Sequence, residues 1–130
     1  MVSKREVVMT KKKFDLQAVQ QAMQLISGKW KIPILITLRV YGEMRFGQLQ
    51  ENVQGIGSKM LSKELKELEG SGLVLREVTS TSPVRIHYSL SVYGKTLDEV
   101  FETLSNWGAM HKIENKEEKH SINHHHIIDI

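Results

Sequence analysis

The side chains best placed to do chemistry are cations, and their spacing gives them a direction. Taking about 100° per residue along a helix from Ser58 to Glu69, Lys59, Ser62, Lys63 and Lys66 fall within an arc of about 100°. Leu61, Leu65 and Leu68 lie on roughly the opposite side, and Glu64, Glu67 and Glu69 fall outside the arc. A helix needs no such separation of sign to be soluble. A helix lying in the major groove of DNA does need it, because phosphates flank the helix and base edges face it. The N-terminal residues of such a helix reach deepest. The pattern therefore assigns Ser58, Lys59, Ser62 and Lys63 to base edges or nearby phosphates, and Lys66 to phosphate. A merely solvated helix face is the plainer alternative.

Two further groups point the same way. Arg85 sits near the tip of an expected hairpin, opposite its apolar side chains, where an arginine can enter the negative minor groove of A·T-rich DNA. Thr79, Thr81 and Ser82 can add hydrogen bonds to phosphate; the competing reading for Arg85 is a cross-strand ion pair with Glu77. Lys29 and Lys31 flank Trp30 at the start of a helix, a natural phosphate position. Trp30 itself reads as a core anchor rather than a stacking platform. His124, His125 and His126 are consecutive and cannot all aim at one ion from regular backbone, so a metal site is not expected there, and His87 reads as a partly exposed structural histidine. No phosphate-binding glycine loop, two-histidine metal motif or nucleophile with a matching base is present, so neither catalysis nor a cofactor is expected.

Charge is distributed unevenly around these residues. Residues 1–28 carry a balance of +3, residues 29–63 of +4 and residues 64–130 of −4, summing to the net +3. A basic first half suits a polyanionic partner. With 130 residues, 40% of them hydrophobic, the chain can bury a core without disulfides. The absence of cysteine removes a thiol switch or a thiolate metal site and fits a cytoplasmic protein. The longest apolar run, Ile32 to Ile36, is far too short for a membrane span, and no secretory signal is expected.

The elements that must position the cations follow from periodicity. Residues 1–13 read as a flexible basic arm, residues 14–113 as the folded domain and residues 114–130 as a polar, disordered tail. Val19, Ala22, Met23 and Ile26 recur at helical spacing before Gly28. Lys31 to Val40 is apolar nearly all round, as a central helix would be, with Pro33 tolerated in its first turn and Gly42 ending it. Phe46, Leu49 and Val53 mark a short amphipathic helix, Gly55-Ile56-Gly57 a turn, and Ser58 the N-cap of the cationic helix. Val84, Ile86, Tyr88 and Leu90 then alternate with polar residues, predicting a half-buried strand paired with Leu73 to Thr79. Tyr93, Leu97, Val100, Leu104 and Trp107 form a stripe on one long final helix, widened by Phe101. The expected fold is mainly helical with a small β-hairpin wing, a winged helix-turn-helix.

Ordered along the chain, Leu25-Ile26-Ser27-Gly28-Lys29-Trp30, Arg45-Phe46-Gly47-Gln48-Leu49, Gly55-Ile56, Leu61-Ser62-Lys63-Glu64-Leu65-Lys66-Glu67-Leu68-Glu69, Gly72-Leu73-Val74, Pro83-Val84-Arg85-Ile86-His87-Tyr88-Ser89-Leu90, Gly94-Lys95 and Trp107-Gly108 resemble the HxlR-type winged helix-turn-helix regulators. The likeness covers about residues 18–108. It implies a dimeric transcriptional repressor or activator, paired through its first and last helices; with the lysine face and the hairpin, this predicts a double-stranded, pseudo-palindromic DNA site. The dimer residues expected are Val19, Met23 and Ile26 with Leu97, Val100, Phe101, Leu104 and Trp107. Many relatives carry a sensing cysteine just before the first helix; the matching position here is Gln17, so thiol sensing is chemically unavailable. Any small-molecule effector is left unidentified. The competing class is a protein-interaction module that keeps the fold without DNA, which would lack the steep salt dependence of phosphate binding.

Overall fold

Asp15 opens the first helix because its carboxylate accepts hydrogen bonds from the backbone amides of Gln17 and Ala18, at 3.1 and 3.3 Å, two donors that have no partner within the helix. The computed structural model describes the backbone of residues 13–125 and the side chains of residues 13–111. The basic arm up to residue 12, the last five residues and the histidine side chains of the tail lie outside the described residues. Helix α1 spans Leu16–Ile26, and Gly28, at φ +102°, lets the chain turn after it. Helix α2 spans Lys31–Tyr41 and buries Ile34, Leu35 and Leu38; it ends at Gly42, at φ +83°.

A short strand β1, Met44–Arg45, leads into helix α3, Phe46–Asn52. Two residues are too few to show a period, which is why alternation does not reveal β1 in the sequence. Helix α4 spans Ser58–Gly70, with Leu61, Leu65 and Leu68 buried. The N-cap is Gly57 rather than Ser58, which occupies the first helical position. Strands β2, Val74–Thr81, and β3, Val84–Leu90, pair antiparallel, and β1 adds to the other edge of β3, giving the order β1-β3-β2. The turn between β2 and β3 is shorter than expected, Ser82-Pro83 alone, with a cis peptide bond.

Burial along the hairpin also departs from simple alternation. Leu90 and Val74 are buried and paired with each other, whereas Val78 and Val84 near the tip are exposed. The base of the hairpin belongs to the core and the tip projects beyond it, so exposure rises with distance along the strands.

The final stripe is likewise divided. Helix α5, Val92–Lys95, is a single turn, and helix α6, Asp98–His125, begins after a break at Thr96 and Leu97. Tyr93 and Leu97 therefore precede the helix that carries Val100, Leu104 and Trp107. The α6 backbone also stays helical well past residue 113, where the sequence shows no sustained apolar period. The chain divides into two compact units, one through Gly94 and one from Lys95 onward. In the first unit the core is formed by Ile34, Leu35 and Leu38 of α2, Leu49 of α3, the α4 leucines, and Leu73 and Val74.

Candidate nucleic-acid interface

The turn that sets α4 against α3 is built from buried apolar residues and one bridging amide. Val53 and Ile56 are buried, and Gly55 takes φ +86° between them. Gln50 donates from Nε2 to the Ile56 carbonyl at 3.4 Å, and its Oε1 accepts from the Ser58 hydroxyl at 3.2 Å. One side chain thus ties α3, the turn and the start of α4 together. Sequence reasoning missed Gln50, because nothing in its local pattern marks a contact eight residues away. The Trp30 ring lies over the same turn: a Cβ placed on Gly55 would stand 3.8 Å from it.

On α4, Lys59, Lys63 and Lys66 are all exposed and Ser62 is half-buried at the edge of their face. The leucines face the core, so the cationic and apolar sides are separated as the spacing predicts. Ser58 is also exposed, with its hydroxyl engaged by Gln50.

Lys31 is placed differently from the expectation that it faces phosphate. Its ammonium turns inward and bridges two carboxylates of α4, Glu64 Oε2 at 2.8 Å and Glu67 Oε2 at 2.7 Å. Burial disfavours the charge on Lys31, but the hydrogen bonds and attraction of both glutamates outweigh it and hold the lysine above its ordinary pKa. Lys29 remains exposed, with Nζ 4.8 Å from the centre of the Trp30 ring, a cation–π contact.

At the wing, Thr81, Ser82 and Arg85 are exposed around the tip. Arg85 pairs in register with Ser80, and Glu77 lies opposite His87, so the Arg85–Glu77 ion pair does not form. A register irregularity between Val78 and Ser80 leaves Thr79 unpaired in the ladder, and its hydroxyl donates to the Arg85 carbonyl at 3.4 Å. His87 Nδ1 lies 3.2 Å from Glu43 Oε1, a structural contact beside β1. Among the described residues no cluster of ligating side chains could hold a metal ion.

The HxlR-like helix-turn-helix family matches residues 25–116, which takes in every element just described from α2 to the first turns of α6. The chain belongs to that family. It is 38% identical over 103 residues to the HTH-type transcriptional regulator YtcD of Bacillus subtilis, covering 79% of this chain and 80% of that protein. A second HTH-type regulator, from Methanothermobacter thermautotrophicus, is 39% identical over 96 residues, covering 74% of this chain and 72% of the relative. The crystal structure of YtcD superposes with a TM-score of 0.68, covering 72% of this HxlR-like chain and 94% of YtcD. The redox regulator HypR in its reduced form does so with the same TM-score of 0.68 at 32% identity, covering 73% and 93% of the two chains. The three-stranded sheet beside the helix-turn-helix is the winged arrangement of this family.

The expected dimer residues divide by exposure. Val19 and Met23 are exposed on α1, joined by Leu16, whereas Ile26 is only 5% exposed and belongs to the core, so it is withdrawn from that stripe. On α6, Val100, Leu104 and Trp107 are exposed and Phe101 is half-buried; Leu97, before the helix, is half-buried too. Trp107 stacks on His111 with ring centroids 5.9 Å apart.

Proposed function

We propose that this HxlR-like chain is a double-stranded-DNA-binding transcriptional regulator that acts as a homodimer on a pseudo-palindromic operator. The observation that carries this reading is the exposed face of Lys59, Lys63 and Lys66 on the second helix of a helix-turn-helix, with the neighbouring leucines buried. Helix α4 enters the major groove; Ser58, Lys59, Ser62 and Lys63 reach bases or adjacent phosphates and Lys66 holds phosphate. Lys29, at the start of α2, contacts the backbone. Arg85, Thr81 and Ser82 serve the flanking minor groove and its phosphates.

A second copy covers the exposed apolar residues of α1 and α6. Two α4 helices related by a two-fold axis then meet major grooves about 34 Å apart. No described helix is long and apolar enough to cross a membrane, and cytoplasmic residence is part of the same reading. Relatives named as HTH-type transcriptional regulators support this reading over catalysis. HypR is named a redox regulator; the present chain has no cysteine, so a thiol switch is not available to it.

The test uses a duplex selected from genomic fragments by the wild-type protein, with a scrambled duplex as control. Lys63→Ala weakens binding to the selected site by about 1–3 kcal/mol if Lys63 reads a base edge. It weakens both duplexes similarly if Lys63 meets only phosphate. Unchanged affinity on both removes Lys63 from the interface, and affinity indifferent to salt favours a protein-interaction module instead.

A further inference from the structure

The inward turn of Lys31 has consequences for the face it does not join. Glu67 follows Lys63 by four residues, one helical turn, the spacing at which a lysine and a glutamate pair along a helix surface. On the wheel Glu67 lies about 40° from Lys63, at the border of the cationic arc. Its side chain is 47% exposed, so it is free to swing toward Lys63 unless something holds it. Lys31 does hold it, at 2.7 Å, from a position where its own side chain is 15% exposed. The same ammonium neutralises Glu64, the buried carboxylate one turn earlier.

We propose that Lys31 is a positioning residue for DNA binding: it draws Glu67 away from Lys63 and leaves the cationic face of α4 open to phosphate. The inference rests on the DNA-binding reading above. Two lysines separated by Trp30 thereby take opposite roles, Lys29 outward toward solvent and Lys31 inward as a clasp between α2 and α4. The charge balance around Glu67 agrees. The hydrogen bond and attraction from Lys31 hold its carboxyl below the usual glutamate range, and Lys63 adds a smaller pull. Remove Lys31, and Lys63, which already attracts Glu67 and stands one helical turn away on the same helix, is the cation left to satisfy it. A phosphate must then compete with a carboxylate already on the helix.

The experiment separates this role from simple support of the fold. Lys31→Met is combined with Glu64→Leu, which removes the buried carboxylate that would otherwise lose its partner, and equal folding is checked by circular dichroism. Binding to a mixed-sequence DNA duplex is measured by fluorescence anisotropy between about 50 and 200 mM salt. The double variant should bind roughly three- to tenfold more weakly at the low-salt end, and its salt slope should be shallower by up to about 0.9, one phosphate contact fewer. Adding Glu67→Gln should restore both affinity and slope, whereas Glu67→Gln alone should change little, because Lys31 has already neutralised that carboxylate. A folded double variant that binds like wild type, or a loss that Glu67→Gln does not recover, overturns the Lys31 assignment while the DNA reading stands. Wild-type protein without salt-sensitive DNA affinity overturns the DNA reading itself, and this assignment with it.

Discussion

Lys31 and Glu64 show how a single contact can outweigh what residue type suggests. A lysine beside a helix start reads as an outward phosphate ligand, yet α4 presents two carboxylates to it, Glu64 buried and Glu67 exposed. Breaking such a pair leaves a largely buried charge unmatched. Lys31→Met should therefore destabilise the fold by about 2–3 kcal/mol in urea unfolding, less than a fully buried pair because both partners keep some solvent contact. Lys31→Met with Glu64→Leu should recover most of that loss, since apolar replacement of both partners is often neutral. The pH dependence has a definite sign. Lys31 has its pKa raised by folding, so its contribution is complete below the ordinary lysine value and is lost as pH climbs through the folded value. Glu67 has its pKa lowered, so its contribution is present above the ordinary glutamate value and is lost as pH falls through the folded one. Thermal melts should show both arms in the wild type; in Lys31→Met the alkaline arm from Lys31 is lost and the acid arm shrinks without vanishing, because Lys63 still attracts Glu67. Identical alkaline and acid profiles for the two proteins would contradict the clasp.

At the scale of elements, the joint between α4 and the sheet is set by close backbone approach. Gly72, at φ +80°, ends α4, and the Leu73 amide reaches back to the Leu68 carbonyl at 3.0 Å. Ser91 closes the other side: its amide donates to the Leu73 carbonyl at 3.1 Å, and its hydroxyl accepts from the Gly94 amide at 2.8 Å. A Cβ on Gly94 would lie 2.2 Å from the Leu73 carbonyl oxygen, a distance backbone cannot accommodate without moving. Gly94→Ala should cost about 1–3 kcal/mol by shifting the base of the wing. Gly47→Ala, in α3 with open space around the added methyl, should instead stabilise by about 0.5–1 kcal/mol. Differential scanning calorimetry of the two variants would settle the contrast, and equal melting temperatures would count against the close approach. Periodicity makes the long elements legible here: α2 and α4 lie where their apolar spacing puts them. It does not reveal β1, whose two residues are strand only because β3 lies alongside, pairing Met44 with Tyr88 and Arg45 with His87.

For the whole molecule the open question is what covers the apolar residues left outside. Leu104 on α6 is 47% exposed in a single chain, and Trp107 is 65% exposed. The proposed homodimer covers them. Leu104→Glu would place an unpaired carboxylate in that interface, and sedimentation should then show monomers where the wild type sediments as a dimer. A dimer that persists would take this part of α6 out of the interface. Ile26 illustrates the limit of a stripe read from sequence. It shares the helical period of Val19 and Met23, but the core claims it and leaves the other two in solvent. Apolar spacing says which residues avoid water, not whether their cover comes from the same chain or another.

Local chemistry in the chain was enough to determine the winged helix-turn-helix, the cationic face of α4 and the absence of any thiol, because these depend on residue type, on spacing within elements and on the order of elements along the chain. Folding in three dimensions alone decided that Lys31 turns inward, that Arg85 stands opposite Ser80 rather than Glu77, and that Gly94 must lack a side chain. These three depend on which backbone comes to lie beside which, with partners at sequence separations that no local period encodes.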